Sequence, residues 1–188
     1  KITGVSKAVM RLKNLQQFYI ANSPITYDKI CTDWTDPNSS YAQQYEKENL
    51  SWAGMTNLTD VELYNCVNLT RLPLDMVGNL PELQLLNIAC NQNISGAQLR
   101  EDWSKLCDMP AGPRLQILYM GYNNLEEFPE DAQLRKMVKF KMLDCTTNKV
   151  HTCIHLEQMS SCLLFIWITI RLLLFLMTSV PSLTKLKL

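Results

Sequence analysis

Apolar residues recur along this chain in one spacing, which is clearest over residues 115–129. The order there is L-x-x-L-x-L-x-x-N-x-L-x-x-L-P, with the slots held by Leu115, Leu118, Met120, Asn123, Leu125, Phe128 and Pro129. The alternation of Leu118 and Met120 predicts a short strand with one buried face. Asn123 then predicts a turn, because an asparagine side chain can hydrogen-bond backbone groups that a bend leaves unpaired.

The same order of slots occurs four more times. They are held by Leu15, Phe18, Ile20, Ser23 and Ile25; by Leu58, Val61, Leu63, Cys66, Leu69, Leu72 and Pro73; by Leu83, Leu86, Ile88, Asn91 and Ile94; and by Phe140, Leu143, Cys145, Asn148 and Val150. The turn slot falls at 23, 66, 91, 123 and 148, in steps of 43, 25, 32 and 25 residues. One coil cannot bury its own apolar face, so the copies are expected to stack.

This series resembles the leucine-rich repeat family over residues 15–150, and most resembles the irregular repeats of Bacteroidetes surface proteins. The resemblance implies an α/β solenoid. Such a solenoid is a curved right-handed superhelix with parallel strands on its concave face and helices or irregular coils on its convex face. We expect one solenoid of about five repeats over residues 1–152, with insertions near 26–54 and 95–113. The resemblance also favours a cell-surface or extracellular location.

The two insertions differ in what their sequences predict. Residues 26–54 are polar and aromatic, and a short helix is expected over 41–50. In residues 95–113, Leu99, Trp103 and Leu106 have helical spacing, and the prolines at 110 and 113 end the helix. The tryptophans of both insertions are predicted to pack on the back of the solenoid. The alternative is a binding loop, because long inserts on rigid scaffolds often carry contacts.

The two ends of the chain depart from the repeat. The chain begins at Lys1 and nothing before Leu15 resembles a polar cap. We therefore expect a piece of a longer protein, in which the lack of a signal peptide says nothing about export. Residues 153–188 form an aberrant tail that is apolar over 162–177 and interrupted by Arg171. That run is shorter than the roughly 20 residues of a membrane span, and a central arginine adds a cost of about 3 kcal/mol.

Another hypothesis for the tail is a frameshift between about residues 150 and 156. If the codons of the tail are read one base out of frame, with synonymous codons permitted, part of it can encode Asp-Tyr-Asn-Gln-Ile-Thr-Ser-Ile-Pro. That segment would be a further repeat in register with the others. A distorted buried coil is the remaining alternative, since Leu183, Leu186 and Leu188 fit the strand pattern in the given frame. If the tail is not a span, any contact with a membrane would come through parts of the protein outside this chain.

Neither the composition of the chain nor any sequence motif indicates an enzyme. The formal net charge is zero and no basic stripe is present, which argues against nucleic acid. Among seven cysteines, Cys66, Cys107 and Cys145 lie at apolar positions, so we expect buried free thiols rather than disulfides. The residues His151, Cys153 and His155 have weak metal-ligand spacing and no acidic motif around them. With no phosphate loop or nucleophile elbow, no catalytic residue, cofactor or metal site is predicted.

Alternate strand residues are expected to face the concave surface in columns. The first column is Gln17, Asp60, Leu85, Ile117 and Met142; the second is Tyr19, Glu62, Asn87, Tyr119 and Asp144; the third is Ala21, Tyr64, Ala89, Gly121 and Thr146; the fourth is Asn22, Asn65, Cys90, Tyr122 and Thr147. We call these twenty positions the strand face. They hold three carboxylates, four tyrosines and no lysine or arginine.

This composition favours a protein or peptide partner with a basic or mixed surface, because tyrosines are frequent at binding hot spots and carboxylates steer cations. The predicted ligand-binding residues are Tyr19, Asp60, Glu62, Tyr64, Asn87, Tyr119, Tyr122 and Asp144. A glycan is less favoured, since scattered tyrosines do not specify a sugar. The alternatives are a solvated face without a ligand, or an architectural spacer that displays another domain.

Overall fold

The computed structural model describes residues 2–31 and 50–150. Five short strands in this part of the chain form one parallel sheet, in the order β1-β2-β3-β4-β5. The strands are β1 (Gln17–Ala21), β2 (Asp60–Tyr64), β3 (Leu85–Asn87), β4 (Ile117–Tyr119) and β5 (Met142–Asp144). Successive strands are neighbours and all point the same way, so each coil returns to the same edge before the next strand begins. The predicted α/β leucine-rich repeat solenoid is confirmed.

The strand register agrees with the repeat alignment. Gln17 pairs with Asp60, Asp60 with Leu85, and the same column continues through Ile117 to Met142. Beyond the three-residue strands the ladder continues: the Ile88 N–H donates to Tyr119 O at 2.8 Å. The Met120 N–H in turn donates to Asp144 O at 2.8 Å.

One continuous hydrophobic core runs through all five coils. Most slots of the repeat are buried, whereas Leu15, Phe18, Asn148 and Val150 are half-buried. The buried ones include Leu58, Val61, Leu63, Cys66, Leu83, Leu86, Ile88, Asn91, Leu115, Leu118, Met120, Asn123, Leu125, Phe140, Leu143 and Cys145. The residue that directly follows the second column is buried in four successive coils, as Leu63, Ile88, Met120 and Cys145. Burial of this series is what holds the coils together, since no single coil has a core of its own.

The segments between strands contain short helices and one longer helix. They are α1 (Asp28–Cys31), α2 (Leu74–Val77), α3 (Gly96–Asp108) and α4 (Asp131–Leu134). Three 3-10 turns span Lys7–Arg11, Trp52–Gly54 and Gly112–Arg114. The longer helix α3 is the one predicted for the second insertion, whereas the helix expected over 41–50 lies almost wholly outside the described residues.

Local sequence sets both ends of α3. The Ser95 hydroxyl accepts a hydrogen bond from the Gln98 N–H at 3.2 Å and caps the first turn. The helix ends at Asp108, and Met109 and Pro110 continue in a non-helical conformation. Inside the helix, Trp103 is buried, with its ring edge-on to Phe128 at a centroid distance of 5.7 Å.

The tryptophans of the insertions serve packing where the structure describes them. Trp103 is buried, and Trp52 is also buried and meets Phe18 edge-on at 6.4 Å. The packing interpretation is confirmed for these two residues. The other tryptophan of the first insertion, Trp34, lies outside the described residues.

A ladder of buried side chains joins the coils at the turn slot. The Asn91 Oδ1 accepts from the Cys66 N–H at 2.8 Å, and its Nδ2 donates to Leu63 O and Ile88 O. Asn123 repeats this one coil later: its Oδ1 accepts from the Asn91 N–H at 2.7 Å. The predicted role of asparagine is thus confirmed, with the added finding that each side chain joins two coils.

The residue before the turn slot has positive φ in every coil. The five residues are Asn22 (52°), Asn65 (49°), Cys90 (63°), Tyr122 (56°) and Thr147 (52°). Asparagine tolerates this left-handed conformation, but it is uncommon for tyrosine and unfavourable for the β-branched threonine. The fourth column of the strand face therefore lies in the turn rather than in the strand. Tyr122 is presented from the turn that follows β4.

The four cysteines whose side chains are described are free thiols, as expected. Burial raises the pKa of Cys66 to about 11, of Cys145 to about 11 and of Cys107 to about 12. Cys90 differs from them because its side chain is partly exposed at the edge of the strand face.

We expect iodoacetamide at about pH 8 to alkylate Cys90 in the folded chain and to leave Cys66, Cys107 and Cys145 unmodified. A thiol with a pKa of about 11 holds roughly a hundredfold less thiolate at that pH than one with the ordinary value of 9.0. Peptide mass mapping separates the sites, and the urea-unfolded chain, alkylated at all four, is the control. Equal native modification of Cys66 and Cys90 would contradict the buried position of Cys66.

Three expectations concern undescribed residues. The frameshift hypothesis and the apolar tail concern residues beyond 150, as do His151, Cys153 and His155. Within residues 2–31 and 50–150, no helix has the length and apolar content needed to cross a membrane.

Candidate functional site

The concave surface of the sheet places the first two columns of the strand face in straight rows. Tyr19, Glu62, Asn87, Tyr119 and Asp144 pair across consecutive strands, as the repeat alignment predicts. Residues of the first two columns are half-buried or exposed, whereas the residues between them are buried on the core side, Phe18 excepted. Side chains of these rows can therefore meet a partner without any change in the core.

Two carboxylates and a tyrosine lie together at the β1–β2 end. The pKa of Tyr19 is raised, first by desolvation and then by the negative charges of Asp60 and Glu62. The phenol, which is 52% exposed, thus lies in the field of both carboxylates. The Thr59 hydroxyl donates to Asp60 Oδ2 at 2.6 Å, and the Asn87 Nδ2 donates to Glu62 Oε2 at 3.2 Å. We call Asp60 and Glu62 the β2 acidic pair.

A third carboxylate lies at the other end of the second column. The Asp144 Oδ1 accepts a hydrogen bond from the Thr146 N–H at 2.9 Å, which fixes the orientation of the carboxylate. Gly121 on the neighbouring coil packs closely against this carboxylate. A Cβ at Gly121 would lie 3.2 Å from Asp144 Oδ2 and 2.8 Å from Thr146 Oγ1. Glycine at this position therefore keeps a side chain from crowding Asp144.

An apolar strip lies between the β2 acidic pair and Asp144. Leu85, Ile117 and Met142 are each half-buried and follow one another in the first column. The Tyr119 hydroxyl lies 3.8 Å from Met142 Sδ, so the strip is bordered by an aromatic ring. A surface of this kind can bind aliphatic side chains, because burial of their apolar area is favourable.

An aromatic cluster occupies the turn side of the strand face. The pKa of Tyr64 is raised, chiefly by a hydrogen bond with the Cys90 side chain and also by Tyr122. Tyr64 is 38% exposed and Tyr122 is 53% exposed. The sequence predicted both tyrosines as ligand-binding residues but did not predict Cys90 beside Tyr64. The repeat alignment places Cys90 in the fourth column, but its contact with Tyr64 depends on side-chain direction.

The predicted candidate residues are thus brought to one surface but not to one point. Tyr19, Asp60 and Glu62 share the β1–β2 end, Tyr64 and Tyr122 lie on the turn side with Cys90, and Asp144 lies on β5. Asn87 lies between them and has a second role, since its Oδ1 accepts from the Ala89 N–H at 3.0 Å. Among residues 2–31 and 50–150, no cluster of three or more possible ligands could hold a metal ion.

Comparison with known proteins shows sequence and structural similarity to leucine-rich repeat proteins of Bacteroides. One, from Bacteroides eggerthii DSM 20697, is 54% identical over 80% of this chain with a TM-score of 0.77. Another, from Bacteroides thetaiotaomicron VPI-5482, is 61% identical over 80% of this chain, also with a TM-score of 0.77. The matched part is 24% and 18% of those two longer chains, respectively.

More distant similarity is confined to the fold. An internalin from Listeria monocytogenes is 18% identical over 87% of this chain and 38% of its own length, with a TM-score of 0.52. No protein-family model matches the chain, and no curated protein does.

Proposed function

Because this chain belongs to the leucine-rich repeat family, we propose that its strand face binds another protein or a peptide, without enzymatic chemistry, as part of a surface protein. A leucine-rich repeat fold supports a protein-interaction role in general. The observation that carries the finer proposal is the composition of this face. It places exposed tyrosines and carboxylates beside an apolar strip, and none of its twenty positions holds lysine or arginine.

The physical case for binding rests on rigidity and contact area. The strand face is anchored on a buried core and on hydrogen bonds between coils, so presenting it to a partner requires little ordering. Tyr64 and Tyr122 offer large amphipathic side chains with few rotatable bonds, a property that favours tyrosine at interfaces. The three carboxylates favour partners with complementary positive charge and raise the rate of encounter.

We expect alanine substitution of Tyr64, Tyr119 or Tyr122 to weaken binding of a strand-face ligand about fivefold to thirtyfold, the range of a residue at a binding hot spot. The ligands are peptides selected from a random display library on the unsubstituted chain. Affinity is then measured by fluorescence anisotropy for each variant. Val138→Ala is the matched control, because Val138 is 65% exposed and lies outside the strand face.

The outcomes separate a binder from a spacer. Selected peptides that lose affinity in the tyrosine variants, but not in Val138→Ala, support the strand face as the binding surface. Peptides whose affinity is the same in all three tyrosine variants would contradict it. A library that yields no peptide above background would favour the architectural spacer.

A further inference from the structure

We infer that the strand face recognises an extended peptide segment with two basic residues four positions apart and an apolar residue midway. This inference rests on the proposed function and specifies the chemistry of the partner. It depends on three features of the face: where the carboxylates lie, what separates them, and how they are held.

The carboxylates lie at two places that are three strands apart. Glu62 on β2 and Asp144 on β5 belong to the same column, with Asn87 and Tyr119 between them. Neighbouring strands are about 4.8 Å apart, so three steps span roughly 14 Å. Asp60 lies on the same strand as Glu62 and adds to the negative charge at that end.

The surface between Glu62 and Asp144 is uncharged. Leu85 and Ile117 occupy its first column, and Asn87 and Tyr119 its second. The nearest cation along β5 is Lys141, one residue before Met142, and its Nζ is bound to Gln116 Oε1 at 2.7 Å. A partner with one positive charge at each end and an apolar group between them would match this arrangement.

An extended chain has the dimensions to make these contacts. Its rise is about 3.3 Å per residue, so residues i and i+4 are roughly 13 Å apart. Side chains at i, i+2 and i+4 lie on the same side of an extended chain. A peptide that crosses the strands can therefore place basic side chains near Glu62 and Asp144 while its central side chain contacts Leu85 and Ile117.

Both carboxylates are already oriented. Glu62 Oε2 accepts a hydrogen bond from Asn87, and Asp144 Oδ1 accepts one from the Thr146 backbone. A carboxylate has about four acceptor sites, so each can still accept hydrogen bonds from lysine or arginine. Gly121, which packs against Asp144, has no side chain that would displace this carboxylate. Little side-chain entropy would be lost when a partner binds at these two places.

The test uses a fluorescein-labelled peptide with the core lysine–serine–leucine–serine–lysine at low ionic strength. Three comparison peptides change one feature each: lysines three positions apart, leucine replaced by serine, or both lysines replaced by glutamine. The protein variants are Glu62→Gln, Asp144→Asn and the double substitution. Glu101→Gln is the matched control, because Glu101 is exposed on α3 and pairs with Lys105 outside the strand face.

We expect the parent peptide to bind more tightly than each comparison peptide. Each single substitution should weaken it about threefold to fivefold, and the double substitution about tenfold or more, since the two places are too far apart to couple. Added salt should reduce the difference between the unsubstituted chain and the double variant. Glu101→Gln should bind the parent peptide with unchanged affinity.

Equal affinity for lysines three and four positions apart would overturn the inference, as would unchanged binding to the double variant. Absence of binding at about 1 mM peptide would overturn it as well. These failures are distinct from failure of the proposed function. Library peptides that depend on Tyr64 and Tyr122 but lack the dibasic spacing would preserve strand-face binding and exclude this partner chemistry.

Discussion

Replacement of Asn91 by alanine is expected to lower the free energy of unfolding by about 3–4 kcal/mol. Asn91 is fully buried, and its side chain binds groups of two different coils. Without it, the Cys66 N–H loses its acceptor and Leu63 O loses the amide that donates to it at 2.7 Å. Ile88 O loses one donor but retains Asn123 Nδ2 at 3.0 Å. The cost arises because buried backbone groups are left unpaired and water cannot reach them.

Urea unfolding monitored by circular dichroism measures this effect. Asn93→Ala is the matched control, since Asn93 lies two residues further along the same turn and donates to Val67 O from an exposed position. We expect that control to cost less than about 1 kcal/mol. Equal stability of Asn91→Ala and Asn93→Ala would contradict the role of the buried asparagine side chains in joining the coils.

Replacement of Asp102 by alanine is expected to lower the free energy of unfolding by about 3 kcal/mol. This carboxylate is fully buried on α3, where its Oδ2 accepts from the Leu72 N–H and its Oδ1 from Gln98 Nε2, both at 2.8 Å. Arg71 approaches Oδ1 at 3.7 Å from a partly exposed position. Alanine would remove the acceptor of a buried backbone N–H and the link between the α3 insertion and the preceding coil. Urea unfolding measures the loss, and Asp102→Asn is the control because it keeps an acceptor for Leu72. Equal stability of the two variants would contradict this role.

The pH dependence of Asp102 can be predicted from the same contacts. Burial raises the pKa of Asp102 above its ordinary value of 3.8, against the lowering effects of the Leu72 N–H, Gln98 and Arg71. Between the pKa of Asp102 in the unfolded state and its higher pKa in the folded state, the folded state holds more protons. The contribution of Asp102 to the free energy of unfolding therefore falls as pH rises through that window. The unsubstituted chain should therefore gain stability relative to Asp102→Asn as pH falls from neutral to about 4. A constant difference between the two proteins over that range would contradict the shift.

The fold could be read from the sequence because its signals are local and repeated. The spacing of Leu115, Leu118 and Met120 encodes a strand, and five copies in register allow only a stack of coils. The columns of the strand face followed from the same alignment, and the observed pairing confirms the first two. The helix α3 was predicted from the helical spacing of Leu99, Trp103 and Leu106, with Pro110 marking its end.

Only the tertiary structure decided which polar groups are buried and what they contact. Asp102 has the sequence context of a solvent-facing helical residue, yet it is fully buried because Leu72, thirty residues earlier, needs an acceptor there. The left-handed turn that carries Tyr122 and the contact of Tyr64 with Cys90 also depend on neighbouring coils. Repeat spacing determines where each backbone segment lies, since it reflects the period of burial. The direction of a side chain between coils depends on partners 25 to 32 residues away, which no local pattern contains.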